Sequence, residues 1–325
     1  MKIKLLARSY ALKQILDAKL KEVGFVSELV DPDQPLEPQL VEAEVLINDT
    51  TNPIDKSIID MCPKLQLLHQ AGNGYDRIDV NYCTTKSIFV ANIPLANAVS
   101  VAEHTMFLMM YLAKDLHSVS GNSLMVKKNT GTLGNELEGK TLLVVGLGAT
   151  GTEVAKRASV FGMQVTAITK DPVAYRPGRE KSFFVNGIKD PSGLSEKIAE
   201  ADFISLHLPL NEETIGMIGA EEFNIMKKSA FLVNVARAPI VDREALFSAL
   251  HEKRIAGAAF DVFWEEPADP NDKLLKLDNF MLTPHIAGWT TESVDAMAGI
   301  IAANILRVAD GNSPLTLVNP ELLRH

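Results

Sequence analysis

Short apolar runs punctuate the chain, separated by longer stretches in which apolar positions return every three or four residues. In the first hundred residues the runs fall at Ile3–Ala7, Val45–Asn48, Leu65–His69 and Ile88–Ala91. Runs of that length, bounded by turn residues, predict buried strands, with helices or loops between them. The alternation predicts a small parallel α/β domain. At Asn97 the character changes: Ala98–Lys114 is apolar on nearly every face, interrupted mainly by Glu103 and His104. Such a helix either lies wholly inside or is covered by its own domain and a second subunit. Further runs at Leu142–Val145, Gln164–Thr169, Phe203–His207, Phe231–Val235, Ala256–Asp261 and Phe280–Leu282 alternate with helical patterns such as Glu153–Phe161 and Arg243–Glu252. That order predicts a doubly wound sheet. Thr291–Ala309 is helical and apolar on one side, and no strand of the second sheet follows it. It is expected to return and pack on the first domain.

One turn carries chemistry. The run Leu142–Val145 ends in Gly146-x-Gly148-x-x-Gly151, followed by a helical pattern and a second strand. Strand, glycine turn, helix and strand are the context in which this motif binds a dinucleotide, with backbone N–H groups and a helix N-terminus facing the pyrophosphate. An NAD site usually has an Asp or Glu at the end of the second strand, for the ribose hydroxyls. Here that strand ends at Thr169, with Lys170 next and Asp171 before Pro172. A hydroxyl and a cation, with Arg176 and Arg179 in the following loop, favour the 2′-phosphate of NADP. NAD stays open, since Asp171 can still turn toward the ribose.

Composition narrows the class. A chain of 325 residues, nearly half of them apolar, buries a large core and is expected to form two domains. A net charge of −9 without a basic run argues against a nucleic-acid partner. Cys62 and Cys83, the only cysteines, lack metal or CxxC spacing, so a reducing, cytoplasmic setting and no metal site are expected. The N-terminal segment is too charged for a targeting signal, and no apolar stretch reaches membrane-spanning length.

Ligands of open α/β sheets gather outside the carboxyl ends of the strands. Arg237, Asp261, Glu266 and His285 all fall at or just beyond such ends. Hydride reduction of a ketone develops an alkoxide that must be protonated, and a histidine is the natural donor. A carboxylate beside it favours the imidazolium and fixes the ring, and a guanidinium holds a substrate carboxylate or polarises the carbonyl. Singly, each has an ordinary structural reading: Arg237 paired with Asp242, Glu265 and Glu266 in a solvated turn, His285 as a satisfied loop residue. Their joint placement beside a dinucleotide fold favours a site.

The motifs VAEHT (101–105), GLGATG (146–151), HLPL (207–210), NVARAPIVD (234–242), DVFWEEP (261–267) and TPHIAG (283–288) resemble the D-isomer-specific 2-hydroxyacid dehydrogenase family, and the likeness spans essentially the whole chain. The resemblance implies that Arg237 binds substrate, that Glu266 pairs with the catalytic His285, and that Asp261 lies near the nicotinamide amide. It places substrate-receiving backbone N–H groups around Asn73 and Gly74. It adds Ala149, Thr150, the Thr169–Lys170 strand end, His207 and Val235 to Gly146, Gly148 and Gly151 as cofactor contacts. It implies two Rossmann-like α/β domains with doubly wound parallel sheets. The first, substrate-binding, is discontinuous (1–96 plus 290–325), and the second, 97–289, binds the dinucleotide. It further implies a homodimer built on the helix near residue 100. Departures are Ala238-Pro239 after the arginine, where Gly-Gly or similar is usual, and Leu95 where glycine is common. Trp289 stands close behind His285.

The expected activity is hydride transfer between NADP(H), or NAD(H), and C2 of a small 2-oxo or D-2-hydroxy acid. The missing strand-end acid is similar to the glyoxylate and hydroxypyruvate reductases that use NADPH. Alternatives are an NAD-linked hydroxyacid or phosphite-type dehydrogenase and, from another class, a cofactor-sensing binding protein like the family's transcriptional corepressors.

Overall fold

Two sheets whose named strands all pair in parallel organise the chain in the computed structural model, which describes residues 1–7, 10–49, 52–116, 133–172 and 184–324. Arg176 and Arg179 lie outside the described residues. The chain divides into two compact units, Met1–Asn97 with Trp289–His325, and Ala98–Gly288.

The first unit has strands β1 (Ile3–Leu6), β2 (Ser27–Leu29), β3 (Val45–Asn48), β4 (Leu67–Gln70) and β5 (Phe89–Ala91), in spatial order β2-β1-β3-β4-β5. Its first helices are α1 (Tyr10–Glu22), α2 (Glu37–Leu40), α3 (Lys56–Asp60) and α4 (Val80–Thr85). Strand β3 reads VLIN and is buried at every position, as a central parallel strand covered on both faces must be. The edge strand β2 was not predicted. It is three residues with a single apolar side chain, and its backbone pairing with β1 makes it a strand.

The second unit begins with α5 (Ala98–Ala113) and continues through β6 (Thr141–Val145), α6 (Ala149–Val160), β7 (Gln164–Ile168), β8 (Gly187–Lys189), α7 (Leu194–Glu200) and β9 (Phe203–Leu206). It is completed by α8 (Ala220–Ile225), β10 (Phe231–Asn234), α9 (Arg243–His251), β11 (Gly257–Phe260) and β12 (Phe280–Leu282). The sheet order is β12-β11-β10-β9-β6-β7-β8. The strand order reverses between β6 and β9, which opens a crevice at their carboxyl ends. Helix α6 starts at Ala149, four residues before its apolar pattern begins, because the glycine turn itself opens the helix. The edge strand β8, Gly-Ile-Lys, has too little apolar character to be read from sequence and is held by its ladder with β7.

Helix α5 is not wholly internal. Ala102, Met106, Leu108, Met109 and Leu112 enter the core of the second unit, whereas Val99 and Phe107 are exposed at 49% and 45%.

The last long helix, α10 (Thr291–Ala309), belongs to the first unit. Its Val294, Met297, Ala298, Ile301, Ile305 and Val308 pack with Leu12, Leu16 and Leu20 of α1 and with Ile3, Val45 and Leu67 of the sheet. The i, i+3, i+4, i+7 spacing of those residues is what makes the segment a helix with one buried face. Thr290 caps its start by accepting from the Ser293 amide. Trp289 is partly buried against this same core.

Candidate active site

The glycine turn occupies the crevice between β6 and β9. Gly146 has φ +99°, and a Cβ there would lie 2.5 Å from the His207 carbonyl oxygen, so only glycine fits. A Cβ on Gly151 would fall on the carbonyl oxygen of Gly146, so α6 approaches β6 as closely as glycine permits. Gly148 differs: a Cβ there would meet nothing within 4 Å. It is the N-cap of α6 and has no side chain of its own to cap the helix; Ala149 and Thr150 form the first turn. An open, half-exposed helix start with free-facing N–H groups fits a pyrophosphate.

His207 forms the other wall. Its amide donates to the Val145 carbonyl at 2.8 Å, which ties β9 to β6 at the crevice. Its Nε2 lies 2.8 Å from Ser205 Oγ, while its buried Nδ1 finds no partner among the described residues. Burial pushes this imidazole down to about 3, so it is neutral at physiological pH. The vacant ring nitrogen and the space at Gly148 both fit a dinucleotide. Val235, partly buried, packs on the core at the end of β10.

At the end of β7, the Thr169 amide donates to the Lys189 carbonyl at 3.0 Å. Lys170 is not a bare cation: its ammonium is paired with Glu213, from the loop after β9, and both side chains are about two-thirds exposed.

The acid–base pair follows β11 and β12. His285 Nδ1 is 2.8 Å from Glu266 Oε2. The other oxygen, Glu266 Oε1, accepts from the Phe263 amide at 2.9 Å, so Glu266 is braced by its own turn rather than solvated. Because the carboxylate accepts, Nδ1 carries the proton, and Nε2 is left without a partner among the described residues. His285 itself has φ +56°, a conformation uncommon for a non-glycine residue and one that gathers at functional sites.

Asp261 is 1% exposed. Its Oδ1 accepts from the Thr283 hydroxyl and from the Ile286 amide at 3.0 Å, and its Oδ2 accepts from the Ala287 amide at 2.7 Å. Arg237 opens the short turn Ala238–Ile240 after β10. Its Nη1 donates to the Ala236 carbonyl at 2.8 Å. Asp242 serves as the N-cap of α9, accepting from the Ala245 amide at 2.7 Å.

Two supporting residues had no role in the sequence reading. Fully buried Asn234 donates through Nδ2 to the Arg237 carbonyl at 2.9 Å and accepts the Ala236 amide at 3.0 Å, so it shapes the turn that presents the arginine. Thr283 holds the start of the His285 loop. The usable signal was position: each polar side chain lies at a strand end, beside a candidate site residue.

Asn73 and Gly74 are in the first unit, in the loop after β4. The Asn73 carbonyl accepts from Asn92 Nδ2 at 2.8 Å, which fixes the loop against the end of β5. Neither amide N–H, of Asn73 or of Gly74, has an acceptor among the described residues. Leu95, on the loop after β5, has φ +74° and is 66% exposed, a backbone geometry that explains why glycine is favoured there.

A doubly wound sheet with a glycine cradle at its switch point, and a histidine–carboxylate pair beyond its later strands, defines a nicotinamide-dependent oxidoreductase. Residues 106–287 match the family model of the D-isomer specific 2-hydroxyacid dehydrogenase, NAD binding domain. A glyoxylate reductase of Korarchaeum cryptofilum is 38% identical over 288 residues, 87% of this chain and 85% of the relative. A D-3-phosphoglycerate dehydrogenase of Methanocaldococcus jannaschii is 38% identical over 302 residues, 92% of this chain and 56% of that longer protein. The crystal structure of D-lactate dehydrogenase from Aquifex aeolicus, complexed with NAD and lactic acid, matches with a TM-score of 0.82 at 28% identity, covering 96% of each chain. The chain belongs to the D-isomer-specific 2-hydroxyacid dehydrogenases. Among the described residues, no helix is long and apolar enough to cross a membrane.

Proposed function

We propose that this chain reduces the C2 carbonyl of a small 2-oxo acid of the glyoxylate or hydroxypyruvate kind, with a preference for NADPH. The observation that carries the reading is the His285–Glu266 pair, which leaves Nε2 available to a ligand on the unit that holds the glycine cradle. The bound dinucleotide supplies the hydride. Protonated His285 gives its Nε2 proton to the alkoxide forming at C2. Glu266 accepts the Nδ1–H hydrogen bond and stabilises the charged ring before transfer. Arg237 orients the substrate carboxylate or polarises the carbonyl. A substrate-receiving role for the backbone amides of Asn73 and Gly74 would make Met1–Asn97 with Trp289–His325 the substrate-binding domain. The 38% identical glyoxylate reductase supports the substrate class.

The absence of an acid at Thr169–Lys170 supports a 2′-phosphate there. The Lys170–Glu213 pair favours a second reading, in which the lysine is already neutralised and NAD(H) is used. The exposed Val99 and Phe107 of α5 support a homodimer closed over that side of the helix. Free, buried Cys62 and Cys83, whose thiols burial pushes up to about 11 and about 12, fit a reducing cytoplasm.

The test is initial-rate reduction of glyoxylate and hydroxypyruvate with NADPH and with NADH. Turnover favouring NADPH supports both parts of the reading. Turnover with NADH alone keeps the reaction and overturns the cofactor preference. No turnover of any small 2-oxo acid overturns the reading.

A further inference from the structure

The loop carrying His285 is held by more than its pair with Glu266. Its left-handed backbone has to be fixed from both sides. Downstream, the Ile286 and Ala287 amides both donate to Asp261. Upstream, the Thr283 hydroxyl donates to the same carboxylate. Two residues of α5 complete the arrangement. Ser100 Oγ donates to the Ala287 carbonyl at 2.7 Å, and His104 Nε2 lies 3.0 Å from Thr283 Oγ1 and 3.5 Å from Asp261 Oδ1.

The proton positions follow from the acceptors. Thr283 has one hydroxyl proton and two acceptors in reach, the Asp261 carboxylate and, at 3.4 Å, the Phe260 carbonyl. The nearer and charged oxygen takes it. The hydroxyl oxygen is then an acceptor for His104, which donates from Nε2. Burial lowers the pKa of His104 against the pull of Asp261, and a neutral ring protonated on Nε2 satisfies this arrangement. Ser100 and His104 are four residues apart, one above the other on the same face of α5. A histidine placed only to fill a core needs no such series of partners.

We propose that Ser100 and His104 are positioning residues for His285. Acting through Thr283 and Asp261, they clamp residues 283–287 and keep the imidazole turned toward Glu266. The proposal rests on the reading of His285 as the proton donor. It assigns Asp261 a structural duty toward the loop beside any contact with a cofactor.

The experiment uses the full chain and two readouts. Hydrogen–deuterium exchange of peptides spanning 283–288 reports the clamp without turnover, and kcat against KM for the nicotinamide cofactor reports its effect on the reaction. His104→Leu and Thr283→Val should each speed exchange of the Ile286 and Ala287 amides roughly tenfold or more. They should lower kcat by roughly ten- to a hundredfold and leave the cofactor KM unchanged. His104→Gln, which keeps a donor near the Nε2 position, should recover most of both. Unchanged exchange in His104→Leu and Thr283→Val, or a Gln variant no better than Leu, overturns the proposal. If either variant fails to fold, Ser100→Ala, which loses one hydroxyl, decides by the same exchange measurement. If the unmodified chain reduces no 2-oxo acid, the functional reading fails, and exchange alone still decides the clamp.

Discussion

A histidine with one ring nitrogen committed to a carboxylate has a single nitrogen through which to exchange a proton with a ligand. His285 is in that state, and its partner Glu266 is itself pinned by the Phe263 amide. His285→Ala should therefore lower kcat by about 10²–10⁴-fold, while titration with NADPH or NADH, followed by fluorescence, shows unchanged cofactor binding. Unchanged turnover would remove His285 from the role of acid. The glycines make a complementary prediction. Gly148 faces open space, so Gly148→Val should leave the melting temperature within a few degrees and abolish cofactor binding. Gly146→Val meets the His207 backbone and should destabilise the fold itself. The candidate residues Arg237, Asp261, Glu266 and His285 could be picked out because each lies at or just beyond a strand end inside a recognisable motif. Their partners were harder to read: Asn234 bonds within three residues of itself, yet His104 reaches Thr283 across 179 positions, a pairing no local pattern records.

At the scale of elements, the proposed cofactor preference turns on one strand end and the loop that faces it. The end of β7 presents Thr169 and Lys170, and the loop after β9 answers with Glu213, which occupies the cation that a 2′-phosphate would need. An exposed pair of this kind is worth about 0–1 kcal/mol, so a phosphate can displace it. Glu213→Gln should lower the NADPH KM by up to roughly fivefold and leave the NADH KM unaltered. A shift in both, or in neither, would show that Lys170 does not meet the phosphate. Nothing in the spacing of Lys170 and Glu213 announced this pair, because 43 residues separate them. The elements themselves followed the apolar runs closely: α10 runs from Thr291 to Ala309, as its periodicity predicts. The edges did not. Strands β2 and β8 are held by backbone ladders, and their side chains have little apolar pattern to detect.

At the scale of the molecule, buried histidines tie stability to pH. His69 is fully buried, bonded through Nδ1 to the Gln70 carbonyl and through Nε2 to Asn304, and burial pushes its pKa from 6.5 down to about 4. Unfolded, it binds a proton near 6.5; folded, it binds none until about pH 4. Between those values the unfolded state holds more protons, so stability rises with pH and is lost on acidification, by on the order of 3 kcal/mol across the window. Urea midpoints should fall from pH 7 to pH 4.5, and His69→Gln should flatten that slope; an equal slope in both proteins would exclude His69 as its source. Asn304 belongs to α10, the segment that returns to the first unit after the second is complete. That return has a consequence for synthesis. A ribosome finishes Ala98–Gly288 as one uninterrupted stretch, whereas the core around Leu12, Leu16 and Leu20 waits for Val294–Val308 to emerge. The second unit is thus expected to mature first on the nascent chain, while residues 1–97 lack one wall of their core until α10 emerges.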